Sequence, residues 1–220
     1  MKKRILCYGD SNTWGYVPGV GTRFDDHTRW TGVLQQLLGE DYQVLEAGLN
    51  GRTSSFDDPY CDYLNGRKAL TGTLIEQKPL DLLILSLGTN DLKYTNAIGV
   101  GRGITALLTE TEVTQTRTPD ACKVFPDGIK VLVISPIHLH PQIETLRPDC
   151  PCNDKYGEST KLSYWVKRAA EEKNAYFLDA AMFAGSSEVD CVHMDEKSHL
   201  SLGNAVARKV KEILEKRSGR

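Results

Sequence analysis

Four short polar stretches of this chain carry residue types suited to acyl transfer. Gly9-Asp10-Ser11-Asn12 offers a hydroxyl, the stretch from Gly48 to Thr53 a glycine-rich turn, and Gly88-Thr89-Asn90-Asp91 a carboxamide. Asp190-Cys191-Val192-His193 adds an acid and an imidazole three positions apart. A serine hydroxyl is a poor nucleophile until an imidazole accepts its proton, and that imidazole needs an acceptor on its other nitrogen to fix its tautomer. Ser11, His193 and Asp190 supply those three roles. A tetrahedral intermediate also needs donors for its oxyanion, and here these are the N–H groups of Ser11 and Gly51 and the side-chain amide of Asn90.

Far-apart residues meet only if the fold gathers them. Apolar runs predict strands over 4–9, 42–47, 80–87, 130–134 and 175–178, the third being nearly all apolar, as a strand covered on both faces must be. Helical spacing of apolar residues predicts helices over 29–38, 70–77, 98–116, 159–173 and 198–216. Strands alternating with helices predict an α/β fold, a three-layer α/β/α sandwich around a parallel five-stranded sheet. Ligands bind beyond the carboxyl ends of strands in such a sheet. The first three polar stretches follow strands and the fourth precedes the last helix. Two long loops remain, 51–66 and 138–157, and the second is rich in Pro and Cys and long enough to form a rim or lid.

With 220 residues the chain fits one domain spanning 1–220. A formal net charge of -2, with basic residues scattered among acids, argues against nucleic acid or an anionic membrane as partner. Met1-Lys2-Lys3-Arg4 is followed by too short an apolar run for a secretion signal or a membrane span, so a cytoplasmic location is expected. Six irregularly spaced cysteines suit free thiols better than a disulfide framework.

The four stretches, in this order, resemble the blocks of the SGNH (GDSL-type) hydrolase superfamily. Arg29-Trp30-Thr31-Gly32-Val33-Leu34, the stretch from Gly48 to Pro59, and Leu64-Asn65-Gly66 are similar to its bacterial arylesterase/acyltransferase branch. The resemblance spans almost the whole chain and is weakest over 99–130 and in the 138–157 loop. It implies a flavodoxin-like SGNH fold, no metal or other cofactor, and activity on short acyl esters. It further implies a capacity to transfer the acyl group to an alcohol, and homo-oligomers built from these loops in some members.

Each residue also has a plainer reading. Ser11 could cap a helix, and Asn90-Asp91 could be a turn pair. His199 rivals His193 but falls inside the last predicted helix, where a solvated or capping role suits it better. Asp10, Asn12, Trp14 and Phe56 are assigned to the substrate pocket, although loop aromatics such as Trp14, Phe56 and Tyr60 equally serve as plugs over a core. Arg29 has Asp10 or Asp26 within reach as an ion-pair partner. His138-x-His140 with Cys150-x-Cys152 evokes zinc, but structural zinc sites use wider spacings, so no metal is expected. The expected function is a serine esterase for small acetyl-type esters. The alternatives are a carbohydrate O-acetyl esterase and, in another class, a noncatalytic carbohydrate- or nucleotide-binding α/β module. No G-x-G-x-x-G or P-loop pattern follows the first strand to support the latter.

Overall fold

Residues on each strand alternate between two apolar layers. Ile5 and Cys7, Leu82 and Ile84, and Leu132 and Ile134 face one layer, while Leu6 and Tyr8, Leu83 and Leu85, and Val131 and Val133 face the other. A strand so covered has no polar face, which is why these segments read as nearly unbroken apolar runs. A computed structural model describes residues 2–215. Met1 and 216–220 lie outside the described residues, as does the last position of the final predicted helix, Lys216.

The strands are β1 (Lys3–Gly9), β2 (Tyr42–Gly48), β3 (Leu82–Ser86), β4 (Val131–Ser135) and β5 (Tyr176–Asp179). They form one parallel sheet in the order β2-β1-β3-β4-β5, the flavodoxin-like arrangement. The helices are α1 (Ser11–Trp14), α2 (Trp30–Leu38), α3 (Gly66–Gln77), α4 (Ala97–Arg117), α5 (Ile143–Leu146), α6 (Tyr156–Ser159), α7 (Leu162–Glu172) and α8 (Glu196–Glu215). Helices α2 and α8 cover one face, and α3, α4 and α7 cover the other. Each fully buried leucine or isoleucine contributes about 1.5–3 kcal/mol, against about 0–1 kcal/mol for an exposed ion pair. The two apolar layers therefore hold the fold.

Register prepares the site. Gly9 lies opposite Gly48 on one side and Ser86 on the other, so three strands end level and release their loops at one edge. Turn α1 then lies directly on the end of β2, and a side chain at Gly48 would put its Cβ 2.2 Å from the Trp14 backbone nitrogen. Only glycine permits that approach.

Several expectations need adjusting. The helix expected over 159–173 begins only at Leu162, as α7, and position 159 instead ends the separate turn α6, where the Ser159 hydroxyl donates to Tyr156 O (2.6 Å) and accepts from Leu139 N–H (3.1 Å). Helix α3 starts four residues early, where Asn65 caps it through Lys68 N–H. Arg29 pairs with neither Asp10 nor Asp26. It bonds Glu46 on β2 at 2.7 Å, since the chain entering α2 runs beside the edge strand. His199 is not solvated. It is fully buried, and its Nδ1 accepts from Trp30 N–H (3.2 Å), capping α2 rather than its own helix. Burial pulls its imidazole down to about 4, which keeps it neutral. Among the described residues, no helix is long and apolar enough to cross a membrane, and no group of three or more His, Cys, Asp or Glu could hold a metal ion.

Candidate active site

Ser11 is the first residue of a single helical turn, with Asp10 as its cap: the Asp10 carboxylate accepts from Asn12 N–H at 3.0 Å. The N–H groups of a first turn have no partner within the turn, so Ser11 combines a hydroxyl with a free backbone donor. Gly15 ends the turn in the left-handed region (φ +93°) and sends the chain back, with Gly15 and Tyr16 N–H both bonded to Ser11 O.

The acid–imidazole pair sits on a tight loop before α8. Asp190 Oδ1 accepts from Val192 N–H (3.1 Å) and His193 N–H (2.9 Å), and its Oδ2 lies 2.8 Å from His193 Nδ1. Cys191 takes a left-handed conformation (φ +66°) to let the loop wrap its own carboxylate. His193 Nε2 then lies 2.9 Å from Ser11 Oγ. Burial pushes the Asp190 carboxyl up, but hydrogen bonds and charge from His193 outweigh it and hold the group below the usual range. With Asp190 ionised, Nδ1 carries the ring proton and Nε2 is left to accept from the serine.

Two contacts lock this geometry. Asn12 Oδ1 accepts from Met194 N–H (3.0 Å), tying the serine turn to the histidine loop. The Tyr16 ring stacks on the imidazole, with centroids 4.2 Å apart and planes at 28°. An aromatic face in that position fixes the orientation of the ring.

Gly51 and Asn90 face the same cavity, which has a volume of about 530 Å³. Gly51 adopts φ +83°, a conformation that strongly favours glycine. Asn90 Nδ2 donates to Arg52 O (3.2 Å), which orients the amide and leaves its second N–H for the cavity. Arg52 is itself buried and donates to Gly9 O (3.0 Å) and Ala47 O (2.5 Å), with its guanidinium 4.0 Å above the Tyr8 ring. It braces the ends of β1 and β2 beneath the serine. Asp91 is fully buried and bonds Ser54 N–H and Oγ, joining the third strand's loop to the glycine turn.

The structure thus brings together Ser11, Gly51, Asn90, Asp190 and His193. The pocket assignments fare differently, since none of Asp10, Asn12, Trp14 and Phe56 lines the cavity. Asp10 and Asn12 lie behind it, Trp14 lies 6.4 Å from Tyr16 under the Arg23 guanidinium, and the Phe56 carbonyl holds the Thr53 hydroxyl. The walls are instead Tyr16, Asn50, Thr89 and Lys93, with Arg147, Asp149 and the Cys150-Pro151-Cys152 segment from the long loop. Its length and proline content mark that loop as a rim, but no spacing in the sequence singles out Tyr16 or Lys93.

Burial raises the Asp10 carboxyl to about 6, against the lowering effect of its Asn12 bond and of His193. Asp91 is likewise raised to about 6 by burial, opposed by its bonds from Ser54. Asp10 holds its proton in the folded chain over a range in which an unfolded aspartate, at 3.8, has lost it. The contribution of Asp10 to stability therefore falls as pH rises from about 4 to about 6 and levels off above. Asp10→Asn keeps the cap oxygen but removes the buried charge. It should match the parent near pH 4, gain on it up to about 6, and hold that gain beyond. Urea unfolding of both proteins at each pH measures the difference, and a difference independent of pH would contradict the elevated carboxyl.

Residues 7–201 match the GDSL-like Lipase/Acylhydrolase family. Among solved structures, the chain is similar to the native aryl esterase of M. smegmatis, with 35% identity, 96% of this chain and 100% of that chain covered, and a TM-score of 0.86. It is also similar to Est24, a carbohydrate acetylesterase from Sinorhizobium meliloti, with 31% identity, 96% and 100% coverage, and a TM-score of 0.88. Comparison with curated proteins finds no match.

Proposed function

Because the chain belongs to the GDSL-like lipase/acylhydrolase family, within the SGNH hydrolase superfamily, we propose that it is a serine esterase cleaving small acetyl-type esters through an acyl-enzyme. The observation that carries this reading is the continuous chain of contacts from Ser11 Oγ to His193 Nε2 and from His193 Nδ1 to Asp190 Oδ2, at 2.9 and 2.8 Å.

The reaction follows from that geometry. Ser11 Oγ attacks the ester carbonyl as its proton passes to His193 Nε2, and Asp190 stabilises the imidazolium that forms. The oxyanion meets the N–H groups of Ser11 and Gly51 and the free N–H of Asn90, each such donor contributing about 10²–10³ in rate. His193 returns the proton to the leaving alcohol. Water, or a second alcohol in acyl transfer, is then deprotonated by the same nitrogen and releases the acyl group.

A cavity of about 530 Å³ shared between acyl and alcohol portions favours short acyl chains. Hydrolysis of p-nitrophenyl acetate should be faster than that of p-nitrophenyl octanoate when kcat/KM is compared, and the reverse order would refute the small-acyl assignment. A second reading, a carbohydrate O-acetyl esterase, is supported by the likeness to a carbohydrate acetylesterase and by the polar rim formed by Asn50, Lys93 and Arg147. Peracetylated glucose included in the same assay separates the two, because a preference for the sugar over the aryl ester marks the carbohydrate enzyme.

A further inference from the structure

Two sulfur atoms stand side by side in the wall of the cavity that holds Ser11. Between Arg147 and Lys155 the chain makes successive tight turns: Cys150 N–H donates to Arg147 O (2.9 Å), Asn153 N–H to Cys150 O (3.0 Å) and Lys155 N–H to Cys152 O (3.1 Å). Pro151, at the centre, has a fixed φ and no N–H, so the segment cannot relax into a regular helix. These turns bring Cys150 Sγ within 3.1 Å of Cys152 Sγ, and both are free thiols.

The two thiols are not equivalent. Cys150 is partly exposed at the cavity wall, whereas Cys152 is 2% exposed. The bond from Cys152 lowers the Cys150 thiol to about 6, burial opposes this, and the Arg147 and Lys93 cations add to the lowering. The same bond and burial push Cys152 up. A thiolate is thus paired with a protonated thiol, the division of labour an attacking and a resolving cysteine require.

We propose that Cys150 and Cys152 form a dithiol that hydroperoxides oxidise to an intramolecular disulfide, reshaping the cavity wall. The Cys150 thiolate attacks one peroxide oxygen and breaks the O–O bond, giving a sulfenic acid and hydroxide, which takes up a proton to become water. The Cys152 sulfur then attacks the Cys150 sulfur as its own proton leaves, forming the S–S bond and expelling the oxygen as a second water. The thiols lose two electrons and hydrogen peroxide gains them. Arg147, Asp149 and Pro151 share the altered segment and line the cavity, whereas Ser11, Asp190 and His193 lie on other loops. Oxidation should therefore raise KM several-fold and largely spare kcat. Only this effect on turnover rests on the esterase reading.

The test treats the full chain with hydrogen peroxide, alkylates the remaining thiols and maps the peptides by mass. The expected result is loss of two hydrogens in a Cys150–Cys152 disulfide, reversed by dithiothreitol, at doses that leave the exposed Cys122 alkylated. Cys152→Ser should halt at a sulfenic acid on Cys150 that dimedone traps, and Cys150→Ser should leave Cys152 unoxidised. Peroxide doses that oxidise Cys122 while Cys150 stays free, or that drive Cys150 to sulfonic acid without a cross-link, would overturn the dithiol whatever the protein does to esters. A mapped disulfide with unchanged KM for p-nitrophenyl acetate would overturn the reshaping alone.

Discussion

Ser11→Ala is expected to lower p-nitrophenyl acetate turnover by about 10⁴-fold or more and to abolish labelling by a fluorophosphonate, with the fold intact. The two effects separate because the hydroxyl does little for stability. Its hydrogen bond is to His193 Nε2, near the cavity wall, and a bond of that kind contributes about 0.5–1.5 kcal/mol net. The cap bond from Asp10 to Asn12 and the clamp from Asn12 to Met194 use other atoms and survive the change. Urea unfolding should therefore show a midpoint close to the parent's. Full turnover by the purified variant, or a fluorophosphonate adduct on another residue, would remove Ser11 from the mechanism.

Asp190→Asn should come close to that loss, about 10⁴-fold in kcat, for a reason that lies in proton positions. The asparagine oxygen can still accept from Val192 and His193 N–H, so the loop keeps its shape. Where the carboxylate held Oδ2, however, an amide nitrogen now donates. His193 Nδ1 must then accept, its proton moves to Nε2, and Nε2 points a donor at Ser11 Oγ instead of an acceptor. The serine is left with no base. Nitrogen chemical shifts of the imidazole should report the exchanged tautomer alongside the kinetic loss. A variant that keeps turnover within about tenfold of the parent would mean that Asp190 does not orient the base.

Much of this site is legible in the sequence because it is built from strand ends. An apolar run that stops at glycine announces both a buried strand and the loop where a parallel sheet binds its ligand, and that logic finds Ser11, Asn90 and the Gly51 turn. The Asp190–His193 pair is readable because three positions on a tight loop suffice for a carboxylate to reach an imidazole. What escapes depends on neighbours that no local pattern encodes. Arg29 finds Glu46 because the edge position of β2 is a property of strand order. Tyr16 reaches His193 because Gly15 reverses the chain, whereas Trp14, two positions earlier, is turned towards Arg23. Arg52 resembles any surface arginine in a polar turn, yet it is buried beneath the serine as a strut between two carbonyls.

The hydrogen bond between Ser11 and His193 spans 182 positions of chain. Closing it brings the end of β1 to the loop that precedes α8, and the packing of α8 on α2 holds that loop in place. In an unfolded chain the hydroxyl and the imidazole are held apart by that separation, so an esterase working through them should be inactive until they meet. Ester cleavage should then report the docking of α8, and a variant that loses this docking alone should lose activity while the sheet still stands.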